Sequence, residues 1–287
     1  MRRIAVIGGG PAGIALAIWA CRLGIEPVLF EGRSGLGGQL LDYSLPVTDL
    51  PGCPSTSAKD LVERLSDDLH RLKVPLHYNS EVLGWDGEWL DAAGKHRASY
   101  DWAFYAPGLK PRRLEIAGED WAYKGSVSDL VDIPESEQIL VIGAGDRAVE
   151  GAIRLARRGH RVTLACRSRR LRARLSYQKQ LVEAGVTVLR ETVVNAIASD
   201  AGRLIADGRG PQGRAWQWSG SHILVRIGMQ PAVTHDLALV AQDLAYPRQL
   251  RMTIIGDAAV PAWQRSLVTA FASAMQAVKW YVSHADR

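Results

Sequence analysis

The run Gly8-Gly9-Gly10-Pro11-Ala12-Gly13 spaces its glycines as a backbone turn must to wrap a phosphate. Gly8 permits the tight turn, Gly10 lets the chain approach a pyrophosphate, and Gly13 lets the following helix lie close on the preceding strand. The amide N–H groups at that helix start attract negative charge. The flanks supply both elements: Ile4-Ala5-Val6-Ile7 reads as a strand and residues 11–23 as an apolar helix. A second strand, Glu26–Phe30, delivers Glu31, 23 residues after Gly8. A carboxylate there accepts the hydroxyl hydrogen bonds of an adenosine ribose. Gly8, Gly10, Pro11, Ala12, Gly13 and Glu31 are therefore candidate dinucleotide-binding residues.

The pattern recurs 135 residues on, as strand Gln138–Ile142, turn Gly143-Ala144-Gly145-Asp146-Arg147-Ala148, a helix to residue 158 and strand Arg161–Ala165. Ala148 in place of the third glycine still permits close packing. The corner that holds Glu31 in the first unit holds Cys166 in the second, followed by Arg167. A carboxylate there repels a 2′-phosphate, whereas guanidinium groups pair with it. Arg167 and Arg172 are assigned to that phosphate, and a solvated helix face suits some of Arg169, Arg170 and Arg174. The second unit should prefer NADPH over NADH. One unit selecting a plain ribose and one a phosphorylated ribose together suggest a flavoprotein that takes hydride from NADPH, in which the cofactor carries the chemistry.

The chain of 287 residues suits two domains. Its 47% hydrophobic and 23% charged content excludes disorder, collagen and coiled coil. Cys21, Cys53 and Cys166 are too few and scattered for a disulfide framework, which suits a reducing cytoplasm. Met1-Arg2-Arg3 and the uncharged stretch 4–21 imitate a signal peptide or membrane span, but the glycines and Pro11 would break the helix, so no membrane association is expected. The seven histidines show no ligand spacing, and no metal site is expected. Residues 115–218 carry 16 basic and 13 acidic side chains, against 13 of each in 1–114. The basic excess gathers at 167–174, where a cofactor phosphate explains it better than nucleic acid, no groove-reading motif being present.

Taken together, these motifs make the chain resemble the low-molecular-weight thioredoxin reductase family of FAD-dependent pyridine nucleotide oxidoreductases over essentially its whole length. Gly37-Gly38-Gln39-Leu40 resembles the family's segment beside the flavin, and Asp49-Leu50-Pro51-Gly52 the next flavin-side stretch. Ala106-Pro107-Gly108 and Ile116-Ala117-Gly118-Glu119 resemble a strand end and a hinge; Ile227-Gly228-Met229-Gln230-Pro231 resembles the return hinge. Gly256-Asp257 and the helix from Arg265 resemble the last FAD motif. The resemblance implies an α/β fold of two Rossmann-like, three-layer ββα dinucleotide-binding domains. An NADPH domain, 115–218, would be inserted into a split FAD domain, 1–114 and 219–287. It adds Gly38, Gln39, Leu40, Asp49, Val82, Ala106, Gly108, Asp257, Arg265, Ser266 and Leu267 to the FAD contacts. To the NADPH contacts it adds Glu150, Ser168 and Gly228. A homodimer is implied as well.

One departure decides the expected activity. The family's redox-active CxxC should fall near Ser126-Val127-Ser128-Asp129, and no cysteine is there. Hydroxyls and carboxylates relay no electrons, so thioredoxin reduction through an internal disulfide is not expected. The expectation is an NADPH-dependent flavin oxidoreductase that passes electrons to an external acceptor, ferredoxin or flavodoxin first. The alternatives are a small disulfide, quinone or oxygen as acceptor, or a redox-inactive flavin-binding scaffold. The family's ferredoxin-reducing branch covers the flavin with a C-terminal segment, a part left here to Trp280, Tyr281 and His284. Cys53, in the flavin-side segment, reads as structural, as do Cys21 and Cys166.

Overall fold

The computed structural model describes residues 2–42, 46–47, 50–53, 56–93, 96–125, 127, 130, 133–233 and 251–284. Asp49, Ser126, Ser128 and Asp129 lie outside the described residues. The first stretch runs β1 (Arg3–Ile7), α1 (Pro11–Arg22), β2 (Glu26–Phe30), α2 (Ala58–Arg71), β3 (Leu76–His77), β4 (Val82–Trp85), β5 (Trp89–Ala92), β6 (His96–Ser99), β7 (Trp102–Tyr105) and β8 (Leu109–Pro111). The middle contains β9 (Gln138–Ile142), α3 (Asp146–Arg157), β10 (Arg161–Ala165), α4 (Leu175–Glu183) and β11 (Thr187–Leu189), then β12 (Val193–Asp200), β13 (Arg203–Arg209), β14 (Ala215–Gly220), β15 (His222–Val225) and β16 (Met229–Pro231). The last stretch contributes β17 (Met252–Ile254) and α5 (Leu267–His284).

Two compact units result, residues 1–110 with 231–287 and residues 111–230. In the first, a parallel sheet of order β17-β7-β1-β2-β3 places β1 at its centre, with β2 on one side and β7 on the other. Alternation along β1 builds both faces, as a period of two requires. Ile4 and Val6 join the core beneath α1 and α5, whereas Ala5 and Ile7 join the core beneath the antiparallel sheet β4-β5-β6. The fully buried Phe104 packs on the helical side, a burial that stabilises by about 1.5–3 kcal/mol.

The second unit repeats the plan. Its parallel sheet has the order β11-β10-β9-β15. Ile139 and Val141 face the core of α3 and α4, while Leu140 and Ile142 face the core of the antiparallel sheet β12-β13-β14. The remaining strands β8 and β16 pair as a two-stranded ribbon.

Two sequence readings are corrected. The boundaries at 114/115 and 218/219 move to 110/111 and 230/231. β15 pairs parallel with β9, His222 opposite Ile139, which ties 219–230 to the second unit. Asp207 and Gly208 lie in β13 opposite Gln217 and Trp216 of β14. Trp280, Tyr281 and His284 are built into α5: Tyr281 is buried edge-on against Phe104, and His284 stacks on Trp280. Among the described residues no helix is long and apolar enough to cross a membrane.

Candidate functional site

The first glycine turn lies at the carboxyl end of β1, where neighbouring strands lie on both sides of β1, the position at which open α/β sheets bind ligands. Gly8 has φ +108°, and a Cβ there would sit 2.3 Å from the Ala106 carbonyl oxygen at the end of β7. Gly13 is tighter, its Cβ 1.9 Å from the Gly8 oxygen, so α1 lies against the turn as closely as a side-chain-free residue allows. Gly10, the N-cap of α1, differs: its Cβ would meet nothing closer than 3.9 Å, and no side chain caps the helix. The open backbone and uncapped N–H groups behind Pro11 and Ala12 are what a phosphate requires.

Other expected residues converge on this turn. The Gly9 N–H donates to Glu31 Oε2 at 2.7 Å and the Arg33 N–H to Oε1 at 2.8 Å, so the buried Glu31 is fixed beside the turn with acceptor capacity left on each oxygen. The Gly37 N–H donates to the Gly9 carbonyl, and a Cβ on Gly38 would lie 3.1 Å from Gly10 Cα. Gln39 Nε2 lies 3.6 Å from where a Gly108 Cβ would be. Gly256 abuts Ala12 of α1, which brings Asp257 to the same end of the sheet. Ser266 caps α5 by accepting from the Thr269 N–H, and Arg265 Nε donates to the Asp257 carbonyl. Burial pushes the Asp257 carboxyl up, partly offset by Arg265 and the Ser266 N–H. Its Oδ1 is buried with no partner among the described residues, an orphan acceptor suited to a ligand hydroxyl. Leu40 and Leu267 meet in a small apolar cluster with Leu61, whereas Val82 is in the core under β4–β6 rather than at the turn.

The second turn repeats the first with different chemistry. Gly143, at φ +154°, has its missing Cβ 2.3 Å from the Arg226 oxygen and 2.8 Å from Ala148 Cβ. Gly145 N-caps α3 without a side-chain bond, and a Cβ there would meet nothing within 4 Å. A cavity of about 230 Å³ opens here, lined among others by Gly145, Arg147, Ala148, Arg172, Arg226 and Gly228. Arg167 stands exposed after β10, and Ser168 turns its hydroxyl to the Arg170 carbonyl. The N–H groups of Arg172 and Ala173 both donate to the Ala144 oxygen. Glu150 is partly buried, which raises its carboxyl pKa, and it pairs with Arg154 at 3.4 Å.

Two assignments change at the second turn. Asp146 takes both Arg174 bonds, backbone N–H on Oδ1 and Nε on Oδ2, each at 2.8 Å. Arg174 is thus the N-cap residue of α4 and an ion-pair partner rather than part of a solvated helix face. The sequence reading also missed Arg226, whose guanidinium donates to the Lys124 and Gly125 carbonyls from within the cavity lining. Its only sequence signal was its place just after β15. All three cysteines are free, and burial pushes the thiols of Cys21 and Cys166 up, away from reactivity.

The sequence model of the pyridine nucleotide-disulphide oxidoreductase family matches residues 2–249. The chain belongs to this family. Its relatives include a ferredoxin–NADP reductase of Ligilactobacillus salivarius, 28% identical over 209 residues that cover 69% of this chain and 61% of the relative. A ferredoxin–NADP reductase of Paraburkholderia xenovorans is 30% identical over 217 residues, covering 68% and 59%. The chain therefore spans about three fifths of the length of these curated relatives. In fold it superposes on the thioredoxin reductase of Lactococcus lactis with a TM-score of 0.83, covering 99% of this chain and 98% of that one at 23% identity. FAD and NADPH are the cofactors of the family. The two open glycine turns and the orphan Asp257 oxygen fit dinucleotides of that kind.

Proposed function

We propose that the protein is an NADPH-dependent flavin oxidoreductase that holds FAD at the turn of residues 8–13 and NADPH at the turn of residues 143–148. The observation that carries this reading is the opposite charge at equivalent corners. Buried Glu31 stands beside the first turn, whereas the equivalent place in the second is Cys166, followed by the exposed Arg167, and Arg172 lines the cavity beside Gly145. Bound FAD would take two electrons as hydride from the nicotinamide and release them one at a time to two molecules of a one-electron carrier. The chain's own task is binding and orientation. Gly10 and Gly145 leave backbone N–H groups open to pyrophosphate, Glu31 accepts ribose hydroxyls, and Asp257 accepts from the flavin side chain. Gly38, Gln39, Leu40, Ala106, Gly108, Arg265, Ser266 and Leu267 border the first site. Arg147, Ala148, Ser168 and Gly228 border the second.

The acceptor is external, because Ser126-Val127-Ser128-Asp129 holds no dithiol and Cys53 has no cysteine near it in sequence. Ferredoxin or flavodoxin is the proposed acceptor, supported by the names of the two reductase relatives. A cytoplasmic homodimer is the proposed assembly. Steady-state turnover of the FAD-loaded protein with NADPH, offered ferredoxin, flavodoxin, thioredoxin or a quinone, tests the reading. Turnover with a one-electron carrier protein and none with thioredoxin is expected. Efficient thioredoxin reduction, or turnover with NADH equal to that with NADPH, contradicts it.

A further inference from the structure

The segment carrying the arginines is fastened to the second glycine turn at three consecutive residues. Arg172 and Ala173 donate their N–H groups to the Ala144 oxygen at 2.8 and 3.1 Å. Arg174 then grips both oxygens of Asp146, the first residue of α3, through its N–H and its Nε. Ala173, between them, is buried in the core of the unit. Arg172 is the first of these anchors, and it lines the cavity with Gly145 and Arg147. Arg174 is not among the cavity's lining residues, and its side chain is 59% exposed.

From this arrangement we infer that Asp146 and Arg174 form a latch. It holds Arg172 in register with the glycine turn and so sets the preference for a phosphorylated over a plain adenosine ribose. The inference rests on reading this unit as the NADPH site and adds two positioning residues to it. Ordering a loop on binding costs affinity, and a loop already held in place avoids that cost. The Arg174 guanidinium also balances a carboxylate that would otherwise face incoming phosphates at the start of α3.

The sign of one substitution separates the latch from a bare charge effect. Asp146→Ala removes a negative charge near an anionic ligand, so Coulomb attraction alone predicts tighter NADP+ binding. The latch predicts the opposite, since Arg172 loses its fixed position. Calorimetric titration of the FAD-loaded, full-length protein with NADP+ and with NAD+ reads this without turnover. Native protein should favour NADP+, and Asp146→Ala should lower the NADP+ to NAD+ affinity ratio by at least about fivefold. Arg174→Ala, at an exposed side chain that leaves the core intact, should lower it similarly. That loss should persist at 1 M salt, where the screening length is about 3 Å and the lost charge itself no longer matters. A native preference for NADP+ that is kept or increased in Asp146→Ala, or a loss in Arg174→Ala that vanishes at high salt, overturns the latch alone. Equal native affinity for NADP+ and NAD+ overturns the NADPH reading, and the latch with it.

Discussion

Gly13 and Gly145 hold the third and second glycine places of their turns, and their surroundings predict opposite outcomes for one substitution. At Gly13 an added methyl would lie 1.9 Å from the Gly8 carbonyl oxygen, so α1 must move away from β1. Gly13→Ala should cost about 1–3 kcal/mol and release FAD, read by urea unfolding and by flavin absorbance after desalting. At Gly145 φ is −92° and the space is empty, so Gly145→Ala should unfold at nearly the native urea concentration. The same methyl stands where a pyrophosphate would approach, and NADP+ affinity should drop about tenfold. A Gly145→Ala protein that binds NADP+ as tightly as native would remove the phosphate from that turn. Both glycines were legible as motif positions, because the spacing of a phosphate turn is local. The orphaned Asp257 oxygen and the grip of Arg174 on Asp146 were not, since each depends on residues far apart in sequence.

Among the elements, the two strand–turn–helix units were legible because every part of them lies within about thirty residues. The boundary between units was not. β14 and β15 are consecutive, yet β14 closes a meander while β15 crosses into the parallel sheet, with only Ser221 between them. Nothing in the local composition marks such a change of sheet. Glu119 shows the same limit: quoted as part of a hinge motif, it is 2% exposed and organises the entry to the second unit. It accepts the N–H groups of Leu114 and Glu115 and pairs with Arg113 and Lys124. Burial pushes its carboxyl up, but these donors and cations together hold it below the ordinary value. A depressed carboxyl contributes stability that is present above its unfolded pKa and lost as pH falls through the folded one. Glu119→Ala should therefore cost about 2 kcal/mol at neutral pH and flatten the loss of stability below about pH 4.5, as seen in urea melts at several pH values. An unchanged acid limb would show that Glu119 is not the group responsible.

Over the whole molecule, two units of the same three-layer plan occupy one chain, the second inserted between the halves of the first. A ligand stabilises the unit that binds it. NADP+ at 100 times its Kd should add about 2.7 kcal/mol to the unit of residues 111–230, and hydrogen exchange should slow there more than around β1. Protection confined to residues 1–110 and 251–284 would reverse the assignment of the two sites. In the proposed reaction, hydride passes from NADPH to a flavin that has no dithiol behind it. An anaerobic titration of the FAD-loaded protein with NADPH, following flavin absorbance against equivalents added, tests it most directly. Complete bleaching at one equivalent of NADPH per flavin is expected, with NADH far slower. Absence of bleaching by either nucleotide, or an end point at two equivalents, would contradict it.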